Sequence, residues 1–273
     1  MIKIENTEVL GWEHAVRGMR NPMNSWDRCD SSFKEVAEVD VLEDDGPQKL
    51  MVNFDALSIG PNDHKLMTSL AKGGPVHAKY RRMITVYMDI TAPLYWWKEF
   101  DTYKVGTVAN SCSTMHKIHA KEFEMEDFSC EHLVGIHTEG YGDTMICCCE
   151  ADDVMDHWYS PKYILENFII KALNVNRDNY IKAAHALKVR DLTDAERKHI
   201  QAQQKCYWWQ MIQLLPSSYN QKRTVMLNYE VLNNIYHSRK NHKLDEWHVF
   251  CDWIKQLPYN ELITGEFDVE QEV

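Results

Sequence analysis

The chain has 273 residues, 44% of them hydrophobic and 26% charged, with a formal net charge of −11. No run of about 18 apolar residues occurs, so no membrane span is expected. The acidic balance argues against a nucleic-acid binder, which would show a basic footprint, but leaves room for a free nucleotide in a local basic pocket. The opening MIKIENTEVL lacks the basic and apolar regions of a signal peptide. Eight cysteines, three of them consecutive at Cys147, Cys148 and Cys149, point to a reducing, cytoplasmic setting, because adjacent cysteines are poor disulfide partners. A metal reading would recruit Cys130, His132 and His137, but no CxxC pair supports it, and no metal is expected.

In chain order, Met1 to Trp12 reads as an opening strand. Asn21-Pro22 signals a turn. Phe33 to Leu57 reads as two short strands around the turn Glu43 to Pro47. Asn62 to Lys72 reads as a helix capped by Asn62 and stopped by Gly73-Gly74. Met83 to Asp89 alternates Ile84, Val86 and Met88 against Thr85, Tyr87 and Asp89, as a half-buried strand does. Pro93 can start the aromatic-rich helix Leu94 to Tyr103. Lys104 to Ser113 reads as a loop, with helix resuming over Thr114 to Phe123. MICCCE reads as a buried strand. Ser160-Pro161 is an N-cap and N1 pair for a helix through about Leu173, and Thr193 to Glu196 is a capping box for a long helix ending before Pro216. Trp247, Phe250, Ile254 and Leu257 recur at helical spacing along Asp245 to Leu257. The expected class is α+β, an antiparallel or mixed sheet with helices, as a single domain over 1–265 followed by an acidic tail over 266–273.

The most informative stretch is Leu227 to Arg239, LNYEVLNNIYHSR. As a helix it brings Asn228 and Arg239, about three turns apart, onto one stripe, with Asn234 roughly 120° away. A guanidinium and two carboxamides over an apolar back of Val231, Leu232 and Ile235 suit an anionic, hydrogen-bonding ligand such as a nucleotide. The competing reading is a surface helix with polar faces, with Arg239 in an ion pair to Asp245 or Glu246.

A second stretch, Ala92 to His116, reads APLYWWKEFDTYKVGTVANSCSTMH. Here the chain resembles the flavin-dependent thymidylate synthases, whose signature is a strand, an Ala-Pro, an aromatic-rich helix and a motif of the form RHRxxSxNExSxRY. Ala92-Pro93 matches the Ala-Pro, and Asn110 and Ser113 match the Asn and Ser of the motif. Leu215-Pro216 matches a family Leu-Pro, after which Asn228, Asn234 and Arg239 fall without a gap on the family's Asn…Asn…Leu-Arg block. Asp63 to Gly74 resembles the segment before its HxSPxEH element. The resemblance covers about residues 60–125 and 205–260.

What this resemblance implies is a homotetramer that binds FAD and dUMP and methylates the nucleotide, with methylenetetrahydrofolate as carbon donor and a nicotinamide reductant such as NADPH. By position, Ser113 would lie by the dUMP phosphate and uracil, and Arg239 by the pyrimidine ring, making these two the expected catalytic residues. Lys98 and Glu99 would stand near the nucleotide. Asn228 and Asn234 would contact the flavin, with Asn110, Lys104, Arg81 and Arg82 as further cofactor residues. The chain also departs from the pattern. Tyr103-Lys104-Val105, or Thr102-Tyr103-Lys104, replaces the Arg-His-Arg that holds the FAD phosphates. Ser111, Met115, Glu230 and Ile212 stand where the family has Glu, Arg, Arg and Arg. A lysine is a point charge and lacks the bidentate fork of arginine. The alternative expectation is therefore a catalytically inactive nucleotide-binding protein that keeps the fold without the flavin chemistry.

Overall fold

A computed structural model of the chain describes residues 2–33, 38–39, 52–53, 58–134, 146–147, 158–188 and 191–267. Its elements are β1 (Lys3–Leu10), α1 (Trp12–Arg20), β2 (Glu38–Val39), β3 (Val52–Asn53), α2 (Pro61–Lys72), β4 (Thr85–Pro93), α3 (Leu94–Phe100), β5 (Val108–Ser111), α4 (Thr114–Lys117), β6 (Ile146–Cys147), β7 (Trp158–Tyr159), α5 (Pro161–Ile164), α6 (Lys171–Ala186), α7 (Asp194–Leu214), β8 (Asn220–Asn228), α8 (Tyr229–Arg239), α9 (Asp245–Ile254) and α10 (Glu261–Thr264). The fold is α+β. Its main sheet is antiparallel, with strand order β1-β4-β8-β5. The pairs β2-β3 and β6-β7 are antiparallel. The expected turn at 43–47, Cys148, Cys149, His137 and the end of the tail lie outside the described residues.

The chain divides into two compact units. One, the hairpin unit, comprises 1–3, 90–102 and 110–223. Its core gathers Ile118, Phe123, Phe128, Leu165, Ile170, Leu173 and Met211. Trp96, Trp97 and Phe100 of α3 are also buried, with Trp96 stacked on Phe100 at 5.1 Å. Between α5 and α6, Leu165–Ile170 winds as a π-helix, so the helix begun at Pro161 runs on to Ala186, well past Leu173. Ser160 caps it by accepting from the Tyr163 N–H. The capping box at Thr193 and Glu196 is present.

The other, the α8 unit, comprises 4–89, 103–109 and 224–273. Val231, Leu232, Ile235 and Tyr236 bury one side of α8, while Trp247, Phe250, Cys251 and Ile254 bury one side of α9. Burial of Val231, Leu232, Ile235, Phe250 and Ile254 contributes about 1.5–3 kcal/mol each. Trp12 meets Tyr229 edge-on at 5.4 Å. Gly11 begins α1 at φ 92°, where a Cβ would fall 2.1 Å from the Met83 carbonyl oxygen.

Other local expectations also need correction. The aromatic-rich helix expected over Leu94 to Tyr103 ends at Phe100. Asn62 does not cap α2: Pro61 takes the first position, and the Asp30 carboxylate accepts from the Asn62 and Asp63 N–H groups. The stretch read as a loop over 104–113 contains β5. The helix expected through Phe123 stops at Lys117, and beyond it the Asn174 carboxamide takes both backbone groups of Phe123. Leu227 and Asn228 close strand β8, and the helix starts at Tyr229.

Candidate functional site

Arg239 ends α8, where a cation faces the negative end of the helix dipole. Its guanidinium lies 4.8 Å from the ring centre of Trp247 and 5.6 Å from that of Tyr103. Its Nε donates to the Tyr103 hydroxyl at 2.8 Å. Tyr103 and Trp247 meet edge-on at 6.2 Å, and Trp247 is fully buried, so the wall behind the half-buried Arg239 is fixed by packing. Two aromatic faces orient the planar cation and reduce the freedom it would lose on meeting an anion or a carbonyl. Lys104 follows Tyr103 and is exposed.

At the other end of α8, Asn228 is the N-cap, its Oδ1 accepting from the Val231 N–H at 3.0 Å. The turn holding Gly106 packs on this cap: at φ 79°, a Cβ there would come within 3.0 Å of Asn228 Nδ2. Glu230 sits in the first turn and is buried. Arg81, also buried, points Nη1 at Glu230 Oε2, 3.9 Å away. Arg82 and Asn234 are exposed. The structure thus brings Arg239 together with Tyr103 and Trp247, and Arg81 with Glu230.

The remaining sequence-derived residues belong to the hairpin unit. On α3, Lys98 is exposed and Glu99 half-buried; Asn110 is exposed on β5. Ser113 is exposed and caps α4, accepting from the His116 N–H at 3.0 Å. The Met115 carbonyl accepts from Trp208 Nε1. A cluster not singled out in the sequence lies on β8. Arg223 covers the Trp97 ring at 4.2 Å, pairs with Asp101 at 2.7 Å and donates from Nε to Gln221. In the same unit an open cavity of about 690 Å³ is lined by Glu126, Glu131, Glu166, Lys162, Cys130 and Asn220 among others.

The residues missed in sequence were the partners. In sequence Trp247 belongs to the core stripe of α9 and Tyr103 to a substituted motif position, and neither carries a local signal for stacking on Arg239.

No protein-family model matches the chain, and no curated protein matches it. Solved structures do. Thymidylate synthase X (ThyX) from Helicobacter pylori, solved with FAD and dUMP, superposes with TM-score 0.52 at 13% identity, over 97% of this chain and 98% of that one. A second complex of that flavin-dependent thymidylate synthase with FAD and dUMP gives 0.52 at 14% identity, over 96% and 98%. The UMP/dUMP methylase PolB from Streptomyces cacaoi, bound with 5-bromo-dUMP, gives 0.49 at 12% identity, over 97% and 95%. The chain has the flavin-dependent thymidylate synthase fold. That likeness takes in both compact units, since it spans nearly the whole length of each protein. No helix among the described residues is long and apolar enough to cross a membrane.

Proposed function

We propose that this chain binds a pyrimidine nucleotide of the dUMP type and has lost the flavin chemistry of its structural relatives. The observation that carries the reading is Arg239: a guanidinium at a helix end, oriented by Tyr103 and Trp247. A planar fork held in this way suits the carbonyl oxygens of a pyrimidine or the oxygens of a phosphate. By the resemblance Lys98, Glu99 and Ser113 would also meet a nucleotide, and each is exposed or half-buried.

The residues available for FAD fit that group poorly. Its diphosphate needs cations and N–H donors. Arg81 is buried against a carboxylate, and Asn228 uses its acceptor as a helix cap. Exposed Lys104 and Arg82 remain, with the neutral Asn110 and Asn234. Each missing charge-assisted bond costs about 1.5–3 kcal/mol, so two or more remove micromolar affinity.

The methylation reading, with FAD, methylenetetrahydrofolate and NADPH, stays as the second one, because the fold matches that of an enzyme solved with FAD and dUMP. The two readings part on one test, the visible absorbance of the purified protein after incubation with FAD and removal of the excess. A colourless protein that dUMP still stabilises against heat supports the binding protein. Stoichiometric flavin, with dUMP-dependent oxidation of NADPH, replaces it with the enzyme. A homo-oligomer, a tetramer by the resemblance, belongs to either reading. The exposed apolar side chains Phe168, Val175, Ile181, Trp209 and Leu214 of the hairpin unit support it.

A further inference from the structure

The N-terminal end of α8 holds a feature that nucleotide binding at Arg239 does not use. Arg81 is 4% exposed and Glu230 8%. Their closest approach is 3.9 Å, longer than a charge-assisted hydrogen bond of about 2.7–2.9 Å. Arg81 Nε and Glu230 Oε2 have no hydrogen-bond partner among the described residues. A buried cation and a buried carboxylate, each under-satisfied, are costly unless something holds them there. The helix supplies part of that. Glu230 lies two residues after the cap, where the dipole of an 11-residue helix favours negative charge. The same end of a helix, beside a guanidinium, is what binds a free phosphate in other proteins.

We propose that Arg81 and the N-terminus of α8 form an anion site whose occupant is the chain's own Glu230 carboxylate. The site is closed to phosphate groups in the wild-type protein, and removing the carboxylate opens it. The Tyr229 N–H is already bonded to the Ile84 carbonyl and the Val231 N–H to Asn228. An incoming anion therefore takes the place of the Glu230 carboxylate on Arg81, in the room the side chain leaves. This does not rest on the nucleotide reading, since Arg239 stands at the opposite end of the helix.

The test is thermal unfolding of wild type, Glu230→Ala and the double variant Arg81→Met/Glu230→Ala. Each is titrated with inorganic phosphate against sodium chloride at equal ionic strength. Glu230→Ala should show a saturable rise in melting temperature, with an apparent affinity about tenfold or more above any wild-type response. The double variant should show none. If Glu230→Ala does not fold in chloride, folding in phosphate supports the site, and failure in both overturns it. A wild-type response equal to that of Glu230→Ala, or a double variant that responds as the single one does, also overturns it. The dUMP response of wild type, measured alongside, reports on Arg239 separately.

Discussion

Arg239 and Asp63 show two different uses of a charged side chain. Arg239 is half-buried on aromatic faces and keeps contact with solvent. Its replacement by Ala should weaken dUMP binding by about 1–3 kcal/mol, read by calorimetry, with a much smaller change in melting temperature. A variant that unfolds instead would make the residue structural. Asp63 is fully buried and accepts from Arg20 Nε at 2.6 Å, from the Ser31 hydroxyl and thiol of Cys29, and from the N–H groups of Asp30 and Ser31. Burial alone would raise its pKa, but the bonds from Ser31, Arg20, Cys29 and Asp30 outweigh it and hold the carboxyl below its usual value. Its stabilisation is therefore present above the unfolded carboxyl pKa of about 3.9 and is lost as pH falls through the lower folded value. Asp63→Asn should cost about 3–5 kcal/mol, because it leaves Arg20 buried without its charge partner. Melting curves between pH 3 and 7 should show a shallower acid loss in the variant than in wild type.

At the scale of elements, local chemistry was readable and long-range pairing was not. Ser160-Pro161, the box at Thr193 and the stripe of α9 need only nearby residues, and all three appear, although α9 closes at Ile254 and leaves the buried Leu257 past its end. Strand β5 was missed because all four of its residues are exposed, leaving no alternation to read. Its place in the sheet comes from β8, more than a hundred residues away. Strand β8 is hidden for a different reason: Asn220 to Thr224 is a polar run, and only Val225 and Leu227 near its end alternate into the core, so the spacing places the start of α8 two residues early. The candidate site divides along the same line. Asn234 and Arg239 lie on a helix as their spacing predicts, whereas Asn228 closes β8 and caps α8 instead of sharing its stripe. The Tyr103 hydroxyl on Arg239 spans 136 positions and has no local signature. Asn228 now carries an element-scale prediction: as the cap of α8, its change to Ala should lower stability by about 0.5–2 kcal/mol, measured by denaturant unfolding. A loss far below that range would mean that packing of the α8 apolar face alone defines the start of the helix.

At the scale of the molecule, the chain keeps a fold over nearly its full length while its charged residues differ from the family pattern. Fold and function separate readily, because the core is set by apolar patterning and the chemistry by a few side chains. Here Val231, Leu232 and Ile235 bury the back of α8, while Glu230 stands where the resemblance expects an arginine. Light scattering of the purified chain should give a mass that is a multiple of 32.1 kDa, a tetramer by the resemblance. Trp209→Glu, which charges an exposed apolar position on α7, should reduce that mass. An unchanged mass would place the contact elsewhere.

A pyrimidine nucleotide held at Arg239 needs no flavin beside it. Calorimetric titration of dUMP into protein free of flavin tests this most directly. Wild type should bind saturably, and Arg239→Ala should weaken that binding at least about fivefold. No saturable heat in wild type, or binding that appears only after FAD is added, would contradict it.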